Sequence, residues 1–198
     1  MALYSDGVNP YVTDMNDHHL IMGQLQDYLT GQRLDDTHDE RYRQKLARLL
    51  VEHCGFAKPD ITPRFNLTVT ACDRRAIVPV DFLVAVSGTV GMLVKYGPGS
   101  LVTRHNPAIA VSRVIRPYQV PVVVVTNGEN AHIIDSRTGR LTSEGLMRIP
   151  SKNTLSGILK QHDFEAVSIK MVEMANKIIY AFEVDGSCLC DSDICRLP

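Results

Sequence analysis

The sequence predicts an α/β fold in which a mixed sheet is covered by helices. Three observations carry this. A meander of strand-like segments between positions 66 and 96 contains two turn signals, Asp73-Arg74-Arg75 and Ser87-Gly88-Thr89. An apolar set at mainly helical spacing follows, with Ile109, Val111, Val114 and Ile115 inside His105–Tyr118. Val120–Thr126 is then almost solid valine, as in a strand buried on both faces. Meander, crossover helix and buried strand is the order of a sheet with mixed strand directions.

The elements can be taken in order. The first dozen residues carry Gly7, Asn9 and Pro10 without a sustained period and read as an arm. Leu20, Ile21, Leu25, Tyr28 and Leu29 recur at three- and four-residue spacing, which predicts an amphipathic helix over about 17–29, ending near Gly31. Thr37 with Glu40 three positions later is a capping box opening a second helix, whose stripe of Tyr42, Leu46, Leu49 and Leu50 stops at Gly55. Strands are expected at Asn66–Ala71, Ala76–Val86 and Val90–Tyr96, and Asn127-Gly128 turns the valine strand into Ala131–Asp135. Ile149-Pro150-Ser151 opens a short helical segment, and a longer helix is expected from Asp163 through Ala181, packed on the sheet or forming a dimer contact.

Composition bounds the class of molecule. The 198 residues are 44% hydrophobic and 22% charged, enough apolar mass for one sizeable core. A net charge of −1 argues against indiscriminate polyanion binding by the whole protein. No apolar run approaches the roughly 20 residues that span a bilayer, and MALYSDGVNP lacks signal-peptide character, so no membrane association and a cytoplasmic location are the expectation. Five cysteines, two of them isolated at Cys54 and Cys72, do not read as a disulfide framework. Cys188, Cys190 and Cys195 cluster near the C-terminus. Zinc or an iron–sulfur centre there would need a fourth ligand, and the competing reading is a thiol-bearing tail.

The residues that attract most attention are Asp81 and Lys95. With Ser87-Gly88-Thr89 as the hairpin tip, Val86 pairs with Val90, and Asp81 faces Lys95 on one side of an apolar hairpin. Charges taken out of water must be paired or bound to metal, so the pair is either a self-satisfied ion pair or part of a site.

The helix ending at Gly55-Phe56, the strands with Asp81 and Lys95, the crossover helix and PVVVVTNGENAHIID together resemble the N-terminal nuclease domain of type I restriction enzyme R subunits, in the PD-(D/E)XK superfamily. The resemblance spans about residues 37–140. It implies a restriction-endonuclease-like mixed central sheet flanked by helices; the arm and helix at 1–36 and the C-terminal helices and Cys-containing tail at 141–198 lie outside it and read as additions. It also implies Mg²⁺ held by a strand aspartate and a carboxylate two before the lysine, the lysine positioning the attacking water, because phosphodiester hydrolysis needs charge neutralisation and a polarised water. Asp81 and Lys95 match that pattern. The middle position is Leu93.

Replacement acids are scarce. Arg104–Tyr118 holds no Asp or Glu, and the glutamine and tyrosine that the family tends to carry on that helix align with small apolar residues such as Ala110 and Val114. Glu40 is the candidate extra catalytic acid and, with Asp81, the candidate Mg²⁺ ligand, against its local role in the capping box. His105 at the helix start, and His18 and His19, read as surface residues in preference to ligands. Arg104, His105, Arg113 and Arg116, following Lys95 and the Tyr96-Gly97-Pro98-Gly99-Ser100 loop, form a candidate phosphate- or DNA-binding set, although the spacing matches neither the P-loop nor the dinucleotide fingerprint.

The expectation is therefore a nuclease-like domain, degenerate or atypical in catalysis and acting in nucleic-acid binding or assembly. The alternatives are an active Mg²⁺-dependent DNA nuclease with a relocated acid, and a protein-interaction or small-ligand domain that forms a homodimer through its C-terminal helix.

Overall fold

The structure is a computed structural model that describes residues 20–71, 73–185 and 195–197. A small antiparallel hairpin, β1 (Gln24–Gln26) with β2 (Arg33–Asp35), precedes helix α1 (His38–Arg48), which continues as a π-helical turn to His53. The main sheet follows: β3 (Ile61–Ala71), β4 (Arg74–Val86) and β5 (Thr89–Tyr96), then helix α2 (His105–Val114), then β6 (Val122–Thr126), β7 (Ala131–Asp135) and β8 (Leu141–Glu144). Helices α3 (Lys152–Gln161) and α4 (Ile169–Ile179) come next, and a π-helical turn at Tyr180–Asp185 leads towards β9 (Cys195–Leu197).

These strands make a seven-stranded sheet in the order β3-β4-β5-β6-β7-β8, with β9 added antiparallel to β4. All neighbours are antiparallel except β5 and β6, which α2 connects as a crossover. The fold is thus the mixed α/β sheet expected from the sequence. One face packs against α1 and α3 through Leu46, Leu50, Phe82, Met92, Val124 and Leu155. The other packs against α2 and α4 through Val78, Leu93, Val111, Val123, Ala175 and Ile179. No helix among the described residues is long and apolar enough to cross a membrane.

The first expected helix is a correction. Residues 20–35 form the β1–β2 hairpin, with Gly23 and Gly31 at φ 135° and 76°. Asp27 closes its turn by accepting the Leu29 and Thr30 N–H groups, a local bond that competes with helix. The last helix also starts later than expected. Ser168 caps α4, and the stretch before it is extended, with Ala166 bridging to Tyr118.

The β4–β5 hairpin closes on Ser87 and Gly88 alone, at φ 52° and 81°, so Val86 pairs with Thr89 instead of Val90. A bulge restores the expected register by Val84↔Met92. The extra residue is Gly91, where a Cβ would lie 3.0 Å from both terminal carbons of Leu159 in α3. A second irregularity lies at Arg64 and Asp81, the one step skipped in the otherwise continuous β3–β4 ladder from Pro63↔Phe82 to Phe65↔Val80. Arg64 has φ 49°. On one side of this step Phe65, Leu67, Val78 and Val80 join the α2–α4 core; on the other, Ile61, Phe82 and Val84 join the α1–α3 core. Both strands change face there.

Candidate functional site

Helix α1 begins where the capping signal places it. Thr37 Oγ1 accepts the Glu40 N–H at 3.1 Å. The other half of the box is absent: the Thr37 N–H donates to Asp35 O at 3.1 Å, and the Glu40 carboxylate turns inward. There it accepts from Gln44 Nε2 at 2.8 Å and from Arg64, and Arg43 Nη1 lies 3.7 Å away. Arg64 also donates to Asp27 at 2.7 Å, and Gln44 to the same carboxylate oxygen at 3.1 Å. Burial alone would raise the Asp27 pKa, but the Thr30 N–H, Arg64 and Gln44 together hold it at about 2.

Asp81 joins this cluster from the sheet. Oδ1 accepts from Arg43 Nε at 2.8 Å, and Oδ2 accepts the Tyr96 N–H at 2.7 Å. The face switch at Arg64 and Asp81 explains the geometry: it points the carboxylate towards α1 and lets the side chain serve a backbone donor of β5. Asp27, Glu40 and Asp81 are 3%, 6% and 8% exposed, so each depends on these partners. Tyr96 closes the cluster, stacked on Tyr42 with ring centroids 5.8 Å apart and donating its hydroxyl to Asp39 at 2.9 Å. Burial, and then Asp39, push its phenol well above the usual range.

Lys95 does not pair with Asp81. Its ammonium donates to Pro79 O at 2.9 Å and to Glu183 Oε2 at 3.0 Å. Glu183 lies in the π-helical turn after α4, whose Tyr180 and Val184 belong to the α2–α4 core, whereas Arg43 approaches Asp81 from α1. The two charges expected on one face are satisfied from opposite faces. Leu93 sits fully buried in the α2–α4 core and pairs with Leu83 in the ladder.

This donor set does not fit a Mg²⁺ site. Mg²⁺ needs oxygens free to coordinate in near-octahedral geometry, alongside its retained waters. Both oxygens of Asp81 are engaged, Glu40 is shared among Arg64, Gln44 and Arg43, and guanidinium groups supply the compensating positive charge. Among the described residues no group of three or more His, Cys, Asp or Glu side chains is arranged to hold a metal ion.

The candidate basic set is dispersed. Arg104 folds over Gly97 and donates to Pro98 O at 2.8 Å. His105 Nε2 lies 2.8 Å from His132 Nδ1 on β7, and burial, then the second imidazole, lower its pKa. Arg116 lies over Phe65 of β3, its guanidinium carbon 5.3 Å from the ring centroid, and Arg113 Nε is buried without a hydrogen-bond partner. His105 and Arg116 thus contact β7 and β3, four places apart in the sheet. The backbone of Cys195 pairs with Ile77 in β9; Cys188, Cys190, Cys72, His18 and His19 lie outside the described residues. Cys54 is buried and free, its thiol pushed up to about 11 by burial.

Asp27, Arg43, Arg64, Tyr96 and Glu183 were not visible as site residues in the sequence. Arg43 carried the one available signal, a cation three positions after Glu40 on a helix. Glu183 and Arg64 had none, since their contacts are made across 88 and 24 positions of chain.

A profile described as Type I restriction enzyme R protein N terminus matches residues 38–150, from the first residue of α1 to the proline before the α3 cap. No curated protein and no solved structure matches the chain.

Proposed function

Because the chain belongs to the family of type I restriction enzyme R protein N-termini, we propose that it keeps the nuclease scaffold without metal-dependent cleavage and serves in nucleic-acid recognition or assembly. The observation that supports this reading is the Arg43 guanidinium between Glu40 and Asp81. A divalent cation would have to displace a buried, hydrogen-bonded ion pair and would gain no acid at position 93 in return. Lys95, bound to Glu183, is on this reading a scaffold residue. The test uses the full chain with supercoiled plasmid and single-stranded DNA in Mg²⁺ or Mn²⁺. The expected result is intact DNA with binding that weakens steeply with salt. Metal-dependent cleavage lost in Asp81→Asn would overturn the proposal.

A second reading, an active nuclease with a relocated acid, is favoured by Glu183, which places a carboxylate 3.0 Å from Lys95 on the face that Leu93 shares. It requires that Glu183→Gln abolish a measurable cleavage. For assembly, the exposed Ile169, Met174 and Phe182 give α4 and the turn after it an apolar surface suited to a second copy. Sedimentation of the native chain and of Met174→Glu tests this: self-association lost in the variant supports it, and a monomer at all concentrations removes it.

A further inference from the structure

On the α3 side of the sheet lies a half-open cleft of about 680 Å³, within the usual size of small-molecule sites. Its apolar part comes from Val122 of β6, Ile133 of β7 and Ile149 before α3. Its charged part is uneven. Arg137 and Arg148 line it, both exposed, and among the described residues neither has a carboxylate within 4.0 Å. Two carboxylates share the lining: Asp135, whose Oδ1 accepts the Thr138 N–H at 2.8 Å and the Thr138 hydroxyl at 2.9 Å, and the exposed Asp163 at the end that follows α3. His162, also in the lining, has a buried Nδ1 with no partner, an atom whose hydrogen bond the protein leaves unmade. Burial lowers the His162 pKa, which keeps the ring neutral and able to donate or accept without adding charge.

We propose that this cleft binds a small anionic ligand with an apolar body, its carboxylate or phosphate held by Arg137 and Arg148 and its body resting on Val122, Ile133 and Ile149. A planar guanidinium fork matches both anions in bidentate fashion, and an uncommitted pair of forks beside an apolar floor is the arrangement such a ligand requires. The cleft is separate from the Asp81 cluster, so this inference and the proposed function fail independently.

The test follows amide shifts of the full chain during titration with phenyl phosphate and, separately, benzoate, with inorganic phosphate and benzyl alcohol as the divided halves of the probe. Saturable shifts centred on Val122 and residues 133–163 are expected, with the two halves binding at least about tenfold more weakly than the best whole probe. The preferred probe identifies phosphate or carboxylate as the anion. Arg137→Ala and Arg148→Ala, both exposed positions, should each weaken binding about tenfold at unchanged amide dispersion, and Thr154→Phe should block the cleft sterically. No saturation at millimolar probe, shifts centred elsewhere, or binding indifferent to all three variants would overturn the proposal.

Discussion

Arg43 Nε and Asp81 Oδ1 meet at 2.8 Å, joining helix α1 to strand β4, while the other oxygen of the same carboxylate receives the Tyr96 N–H of β5. One side chain thus ties three elements together. The residue that the family pattern assigns to metal is here hydrogen-bonded through both carboxylate oxygens, and its substitution is expected to act on stability.

Asp81→Ala should therefore destabilise the protein by about 2–4 kcal/mol, since it strands a strand N–H and removes a buried partner of Arg43. Asp81→Asn should cost less, because an amide oxygen still accepts from Tyr96. Urea unfolding of both variants measures the difference; equal losses would show that the Tyr96 bond contributes nothing.

Leu93→Glu, the change that restores the acid of the family pattern, is expected to fail as a repair. Position 93 is fully buried in the α2–α4 core, away from the Arg43 side of Asp81, so the new carboxylate should cost about 3–5 kcal/mol. Thermal unfolding with and without Mg²⁺ checks this. A metal-dependent rise in the variant's melting temperature would count against the described orientation.

Lys95 and Glu183 should behave as a coupled pair. Lys95→Met and Glu183→Leu each leave one charge partly buried, whereas the double variant leaves neither, so a double-mutant cycle should return a coupling of about 1–3 kcal/mol. Additive losses would mean that the contact is incidental.

Asp27 supplies a pH dependence. Its folded pKa of about 2 lies below the ordinary aspartate value of 3.8, so its stabilisation is complete above the unfolded value and is lost as pH falls towards 2. The loss amounts to about 2 kcal/mol. Urea midpoints from pH 6 to pH 2 should converge for wild type and Asp27→Asn at the acid end; parallel curves would assign the acid sensitivity to other carboxylates.

Much of the sheet was legible in the sequence. Alternation and turn chemistry locate the three meander strands, although Arg74 and Arg75 belong to β4 and Thr89 to β5 instead of to the turns, and β3 begins at Ile61, ahead of the expected Asn66; the valine run locates β6. The α1 cap was visible because Thr37 and Glu40 are neighbours. The 20–35 hairpin was not, because its apolar spacing also fits a helix, and the competing bonds from Asp27 are decided by geometry. The facing of Asp81 and Lys95 is hidden for a different reason. Period-two reasoning assumes an unbroken pleat, and the step at Arg64 and Asp81 breaks it in two strands at once, with only the positive φ of Arg64 to mark it. The guanidinium groups that compensate Asp27, Glu40 and Asp81 come from Arg43, which belongs to no motif of the sequence, and from Arg64, which precedes the strand expected at Asn66–Ala71.

The pairing of β9 with β4 bears on the order of events as the chain is made. Ile77 and Cys195 are partners about 120 residues apart, and Lys95 waits almost as long for Glu183. During synthesis the β3–β5 meander can form early, but at Arg75–Ile77 its central strand is paired with β3 on one edge alone until β9 is made, and Lys95 is without its counter-ion until the segment after α4 arrives. A released chain truncated before residue 183 should be captured by chaperones more readily than the full chain, although both hold every strand of the meander.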